Sequence, residues 1–363
     1  MRILIIIDTS FVPYGGLSTV VMNYYRAIDK KDLIIDIAST NNAPQSLVEE
    51  LKMNNSHYYC LGKRKRVFSY SKKLFTTLSR GYDVVHVNGN SGTMALELLP
   101  AIRRKIPVRI AHVHTTKTEH PVLNMLIYPL FKHSFSKAIA VSENAGKWLF
   151  KNNYIILNNA IDISRYIYSD EKRKRIRNQY EIADSTFIIG NVGKLTPGKN
   201  QQFLLDVFRI VKDRYKDSKL FIVGGGDLED DLKCKAKELG IDQDVIFSGM
   251  MNDASECYQA FDIFAFPSKF EGLGLALIEA QASGLKCIIS DRIPTEAIVT
   301  PDVKILGIDR QEKEWADYIL NNIYYDRKER SDCAKETIRL HGYDILIEAK
   351  KLRNIYFGEM EKK

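Results

Sequence analysis

Ile263-Phe264-Ala265-Phe266-Pro267-Ser268-Lys269-Phe270-Glu271-Gly272-Leu273-Gly274-Leu275-Ala276-Leu277-Ile278-Glu279-Ala280 runs from a short, continuously apolar segment, through a loop with a Gly-x-Gly turn, into an apolar stretch of helical length. A short apolar run of this kind suits a strand covered on both faces, and a strand feeding a helix is the repeating unit of a parallel α/β sheet. Working outward, the same succession recurs in two series. The first has expected strands at Arg2–Ile7, Leu33–Ala38, Asp83–Val87, Val108–Val113, Lys137–Val141 and Tyr154–Leu157, and the second at Phe187–Val192, Lys219–Val223, Val245–Ser248, Ile263–Phe266, Lys286–Ser290 and Val303–Leu306. The fold class expected is α/β, with two Rossmann-like doubly wound domains.

A chain of 363 residues exceeds one compact core, which agrees with two series. The expected division is residues 1–165, residues 166–343, and a terminal helix in residues 344–363 that returns onto the first domain. With 45% hydrophobic and 27% charged residues the chain is globular, not disordered. Cys60, Cys234, Cys257, Cys287 and Cys333 are scattered without paired spacing, which argues against a disulfide framework or zinc site and for a reducing compartment. The apolar run of Met1 to Ile7 stops at Asp8 without a small-residue cleavage site, so it reads as a buried strand and not a signal peptide. The longest apolar helical candidate, Val122 to Phe131, meets Lys132 and His133 and is too short to span a bilayer. A cytoplasmic protein is expected.

Charge is uneven. Residues 1–160 hold 21 Lys+Arg against 10 Asp+Glu, while the whole chain has a net charge of +8. The clusters Lys63-Arg64-Lys65-Arg66, Lys72-Lys73 and Arg103-Arg104-Lys105 form either a solvated face or an attractant for anionic lipid or phosphorylated substrates. Without an interleaved aromatic platform they do not point to nucleic acid.

Ligands of doubly wound sheets collect beyond the carboxyl ends of strands, where helix N-termini present free N–H groups. Three segments lie there. In Tyr14-Gly15-Gly16-Leu17-Ser18, Gly15 and Gly16 would let backbone approach a phosphate. In Gly190-Asn191-Val192-Gly193-Lys194-Leu195-Thr196-Pro197-Gly198-Lys199-Asn200, Lys194 and Lys199 flank a Pro-Gly turn and would stabilise a departing diphosphate. In the opening stretch, Gly272, Leu273 and Gly274 would leave N–H groups accessible. Glu271 and Glu279 there could accept hydrogen bonds from hydroxyl pairs, one on a sugar and the other on a ribose. Asp227, Glu229, Asp230 and Asp231 read as first-turn acids of a helix, not as a metal site.

These segments, together with Arg109-Ile110-Ala111-His112-Val113-His114-Thr115, Val141-Ser142-Glu143-Asn144-Ala145-Gly146, Asn158-Asn159-Ala160-Ile161-Asp162, Gly224-Gly225-Gly226 and Glu279-Ala280-Gln281-Ala282-Ser283-Gly284, carry a resemblance that runs nearly end to end. The chain resembles the retaining family 4 glycosyltransferases of GT-B architecture, in which two Rossmann-like domains face each other across a cleft, and within them the bacterial exopolysaccharide and capsule enzymes. The resemblance implies a hexosyltransferase that moves a sugar from a nucleotide donor, a UDP-sugar, to a saccharide or polyprenyl-diphosphate-linked acceptor without a metal or other cofactor. It implies that Lys194 and Lys199 bind the donor diphosphate, Glu271 contacts the donor sugar and Glu279 the ribose, and that Gly16 packs beside the diphosphate. Family members often carry Arg where this chain has Lys194, and Lys lacks the bidentate fork, so a looser contact is expected.

His112 and His114 lie two apart at a strand end, an alternation that aims side chains at one face. The chain is expected to leave the strand between them, so that one reaches the ligand. By position His114 resembles the family's active-site histidine, and with Glu271 it forms the expected catalytic pair. His112 is expected to be packed, and His86 stays open between acceptor contact and support. Asp8 and Thr9 are expected on the acceptor side. A basic first domain suits an anionic lipid headgroup, hence peripheral contact with the inner membrane face. The alternatives are a UDP-sugar epimerase of the same architecture, separable by donor turnover without acceptor, and a non-catalytic nucleotide-binding protein. A nicotinamide dehydrogenase is disfavoured, since no Gly-x-Gly-x-x-Gly follows the first strand.

Overall fold

Among the described residues thirteen strands form, each parallel to its neighbours. The computed structural model describes residues 1–358 apart from Tyr14, Glu119, Asn252 and Arg310. The chain divides into one unit of Met1–Ala160 with Ile345–Lys363, and a second of Ile161–Asp344.

In the first unit the strands are β1 (Arg2–Ile7), β2 (Ile34–Ser39), β3 (Tyr58–Cys60), β4 (Val84–Gly89), β5 (Val108–Val113), β6 (Lys137–Ala140) and β7 (Ile155–Ile156), in sheet order β3-β2-β1-β4-β5-β6-β7. Ile3 to Ile7 are buried because helices cover both faces of the sheet. The helix Ile345–Phe357 belongs to this unit and packs against the helix Gly16–Ala27. The second unit contains β8 (Phe187–Val192), β9 (Ser218–Val223), β10 (Val245–Phe247), β11 (Ile263–Phe266), β12 (Lys286–Ser290) and β13 (Val303–Leu306), in order β10-β9-β8-β11-β12-β13.

Both orders reverse once, between β1 and β4 and between β8 and β11. At such a reversal the connections leave toward opposite faces and open a crevice at the strands' carboxyl ends. The order thus fixes where each unit opens a crevice. The twelve expected strands all form, six of them with the expected ends and the others with ends shifted by at most two residues. β3 was not expected: a three-residue edge strand is too short to show periodicity. No helix among the described residues is long and apolar enough to cross a membrane.

Candidate active site

In the second unit, the loops following β8 and β11 meet at the reversal. The Lys269 N–H donates to the Gly198 carbonyl at 2.8 Å and ties one loop to the other. Lys199 donates to Glu271 Oε1 at 2.5 Å, and its ammonium lies 5.4 Å from the centre of the Phe266 ring. The Glu271 side chain is only 8% exposed against 25% for Lys199, so the pair is partly shielded and its Coulomb attraction is stronger than at a surface. Gly274 makes the turn possible: at φ 90° it occupies the left-handed region that other residues avoid, and from there the helix Leu275–Ala282 starts with no side-chain cap. Its first N–H groups are left for other partners.

Glu279 lies on this helix, half-buried. Tyr258 donates to its Oε2 at 2.6 Å, and Tyr166 packs edge-on against Tyr258 at 5.6 Å between ring centres. Burial raises the pKa of Glu279, opposed by the Tyr258 hydroxyl and by Arg165. Lys194 is exposed, and among the described residues it has no carboxylate partner. The stem of Lys199 runs over Gly193, where an added Cβ would meet it at 3.6 Å.

The first unit has its own cluster at the carboxyl ends of β1, β4 and β5. His86 and His112 stack at 5.2 Å between ring centres, and His114, just past β5, tilts against His112 at 4.1 Å. His86 Nδ1 faces the Tyr356 hydroxyl at 2.8 Å and its Nε2 faces His112 Nδ1 at 3.1 Å. His86 is therefore structural support for the Ile345–Phe357 helix. His114 Nε2 lies 2.9 Å from Asn88 Oδ1, a carbonyl that can only accept, so the proton sits on Nε2 and Nδ1 keeps its lone pair, without a hydrogen-bond partner.

Burial lowers the pKa of all three rings, to about 3 for His86 and His114 and well below the ordinary value for His112. The unfolded chain takes up protons below about pH 6.5 that the folded rings refuse until about pH 3, so their contribution to stability is present above pH 6.5 and is lost as pH falls. Replacing His112 by Phe, of similar shape and with Nε2 already unpartnered, removes one such group. In urea unfolding at pH 6.5 and pH 5 the variant is expected to lose about 2 kcal/mol less than the parent chain between the two. Equal losses would contradict a buried, neutral His112.

Asp8 is buried and pushed up to about 7, by burial first, with Arg64 lowering it and Glu97 raising it. Its Oδ2 is 3.3 Å from Arg64 Nη1. Position 89 must be glycine for this carboxylate to fit, because a Cβ there would lie 2.4 Å from Asp8 Oδ2. Arg64 also bonds Glu97, which accepts from Tyr70 at 2.7 Å. This corrects the sequence reading of Arg64: it is not part of a free cationic patch but the centre of a mostly buried ion-pair network.

Residues 172–339 match the family model for glycosyl transferases group 1. The second unit is a group 1 glycosyltransferase domain. Beyond that domain, the chain is 28% identical to a putative glycosyltransferase, EpsF, of Bacillus subtilis (strain 168), over 96% of this chain and 94% of that one. It is 26% identical to the UDP-Gal:alpha-D-GlcNAc-diphosphoundecaprenol alpha-1,3-galactosyltransferase of Escherichia coli, over 68% of this chain and 63% of that one. Among solved structures, Anabaena Alr3699/HepE in complex with UDP and glucose has the same fold, with a TM-score of 0.77 and 17% identity over 98% of this chain and 99% of that one. The GT-B fold expected from the sequence is the fold found.

Within the glycosyltransferase domain lie Lys194, Lys199, Glu271, Gly272, Leu273, Gly274 and Glu279. The fold brings Lys199, Glu271 and the Gly272–Gly274 turn into one place, with Glu279 on the helix that the turn opens. Gly15, Gly16 and His114 belong to the first unit, and Tyr14 lies outside the described residues. A Cβ on Gly16 would meet nothing within 4 Å, so packing in its own unit does not demand glycine there. Asp227 stays outside the helix Glu229–Glu238, whose first turn holds Glu229, Asp230 and Asp231. Sequence reasoning missed Tyr258 as the partner of Glu279, and Tyr166 packed beside it. Neither stands at a recognisable spacing from it, and only the fold joins them.

Proposed function

We propose that the chain is a retaining family 4 hexosyltransferase that takes a UDP-sugar in its glycosyltransferase domain and a saccharide or lipid-diphosphate-linked acceptor in its first unit. The Lys199–Glu271 pair at the sheet reversal, beside an uncapped helix N-terminus, carries this reading. Lys199, Lys194 and the free N–H groups of the Leu275–Ala282 helix would neutralise the diphosphate without a metal. Glu271 would accept donor-sugar hydroxyls and Glu279 those of the ribose. The bond from the anomeric carbon to the departing phosphate oxygen breaks as the acceptor oxygen bonds to that carbon from the same face, and the acceptor's proton passes to the departing phosphate. His114, with a lone pair on Nδ1, would accept a sugar hydroxyl, not form a covalent intermediate. The HepE structure bound to UDP and the diphosphoundecaprenol-directed relative support the donor and acceptor classes.

Peripheral contact with the inner membrane face belongs to the same reading. The helix Pro121–Lys132 leaves Val122, Leu123, Met125, Leu126 and Leu130 more than half exposed beside Lys132, in the unit that carries the positive charge. The transfer reaction is tested by incubating the protein with a panel of UDP-sugars, with and without lipid-linked saccharides. UDP release that requires the acceptor is expected. Conversion of the UDP-sugar without acceptor would replace transfer by epimerisation, and no UDP binding by isothermal titration would end the reading.

A further inference from the structure

Thr40 follows β2, Gly62 follows β3, and the helix Val67–Leu78 begins just after. Together they frame a cavity of about 250 Å³ at the carboxyl end of the first unit's sheet, the end that carries Asp8 and His114. Its wall includes Thr40, Lys63, Arg66, Ser69, Tyr70 and Lys73, and no carboxylate. An added Cβ on Gly62 would come within 3.9 Å of Lys73 Nζ, so that ammonium hangs over the loop.

Lys63, Arg66 and Lys73 have no acidic partner among the described residues, while their neighbour Arg64 is taken up by Asp8 and Glu97. Like charges crowded on one cavity repel each other, and an anion among them relieves that repulsion. The helix Val67–Leu78 adds N–H groups without a side-chain cap and has no acid in its first turn. The Ser69 and Thr40 hydroxyls supply neutral donors. Such a wall, with three cations and two hydroxyls among its lining residues, suits a tetrahedral phosphate or a diphosphate. The cavity is smaller than the ~300–1,000 Å³ of sites that enclose a whole organic ligand, which fits a headgroup and not a sugar chain. Directly beside it Phe68 is 93% and Val67 51% exposed, so apolar side chains adjoin the cationic wall as a phosphate carried on a lipid would need.

We propose that this cavity is a phosphate site of the first unit, which takes a phosphate monoester or diphosphate group. It deepens the acceptor half of the proposed reaction and rests on that reading for its role, although not for its existence. The test uses the full chain with UDP present, so that the donor site does not report. Isothermal titration with sodium pyrophosphate, and cosedimentation with phosphatidylcholine vesicles with or without phosphatidic acid, are compared for the parent chain, Lys63→Gln/Arg66→Gln/Lys73→Gln, and the control Lys31→Gln/Lys52→Gln/Lys105→Gln, which removes the same charge elsewhere.

The cavity variant is expected to weaken the parent chain's binding by at least about tenfold, and the control by no more than about twofold. Binding to phosphatidic acid vesicles alone would assign the site to a lipid headgroup, and binding to free pyrophosphate as well would assign it to the phosphate group itself. Parent-level binding by the cavity variant, equal weakening by the control, or binding of neither probe by the parent chain would overturn the proposal. All six positions are exposed, so circular dichroism should show intact folding. UDP affinity in the same titrations reports the donor reading separately: its loss with pyrophosphate binding retained would sink that reading and leave the cavity standing.

Discussion

Glu271→Ala is expected to lower kcat/KM for sugar transfer by about 10²–10³ while the second unit stays folded. The carboxylate is less exposed than Lys199, and among the described residues its one ionic partner is Lys199 at 2.5 Å. Truncation leaves Lys199 with access to water, so the cost to stability stays near ~1 kcal/mol. The large loss is instead in orientation, because the sugar loses the acceptor that fixes its hydroxyls. Lys199→Ala should give a loss of the same order, by removing charge from the departing diphosphate. Since each residue positions the other, the double variant should be little worse than either single one. Initial rates of UDP release with acceptor, alongside thermal melting, measure both quantities, and full activity in both single variants would remove the site assignment.

Arg177→Met is expected to produce the largest loss of stability, about 3–5 kcal/mol in the second unit. The Arg177 side chain is fully buried and donates to the Ala183, Asp184, Thr186 and Ala260 carbonyls, besides pairing with Asp262 Oδ2 at 2.7 Å. Burial lowers its pKa, and the bonds at least partly offset that penalty. Met fills a similar volume but cannot donate, so the buried Thr186 carbonyl loses this donor and the Ala260 carbonyl keeps only Arg173. Arg173 would still hold Asp262, which sets a ceiling on the loss. Calorimetry should show the melting temperature lowered by about 8–15 °C. A shift below about 2 °C would mean that these carbonyls find other donors.

The two effects differ because one residue lies in the loops proposed to take the donor and the other faces backbone. Glu271 sits in a loop that a strand and a glycine turn present to solvent. Arg177 belongs to the charged helix Asp170–Gln179, which the sequence shows only as a basic run after the boundary between the two strand series. Helical position alone does not say which of Arg173, Lys174, Arg175 and Arg177 is buried. That is decided by the Gln259–Asp262 segment, more than eighty residues away, against which Arg173 and Arg177 pack.

The sequence by itself determined the strand series, their helical crossovers and the Gly-rich loops, because apolar periodicity and glycine placement are local and each strand's burial is written in its own residues. It also marked Lys199, Glu271 and Gly274 as candidates at one sheet opening, since the end of a strand is where a parallel sheet opens, and the fold does bring them together. Only the tertiary structure decided which charges are spent on each other. Arg64 went to Asp8 and Glu97, Lys199 to Glu271, and Lys63, Arg66 and Lys73 were left facing a cavity. Pairing depends on distances between segments far apart in the chain, and a charge in the sequence carries no sign of its partner.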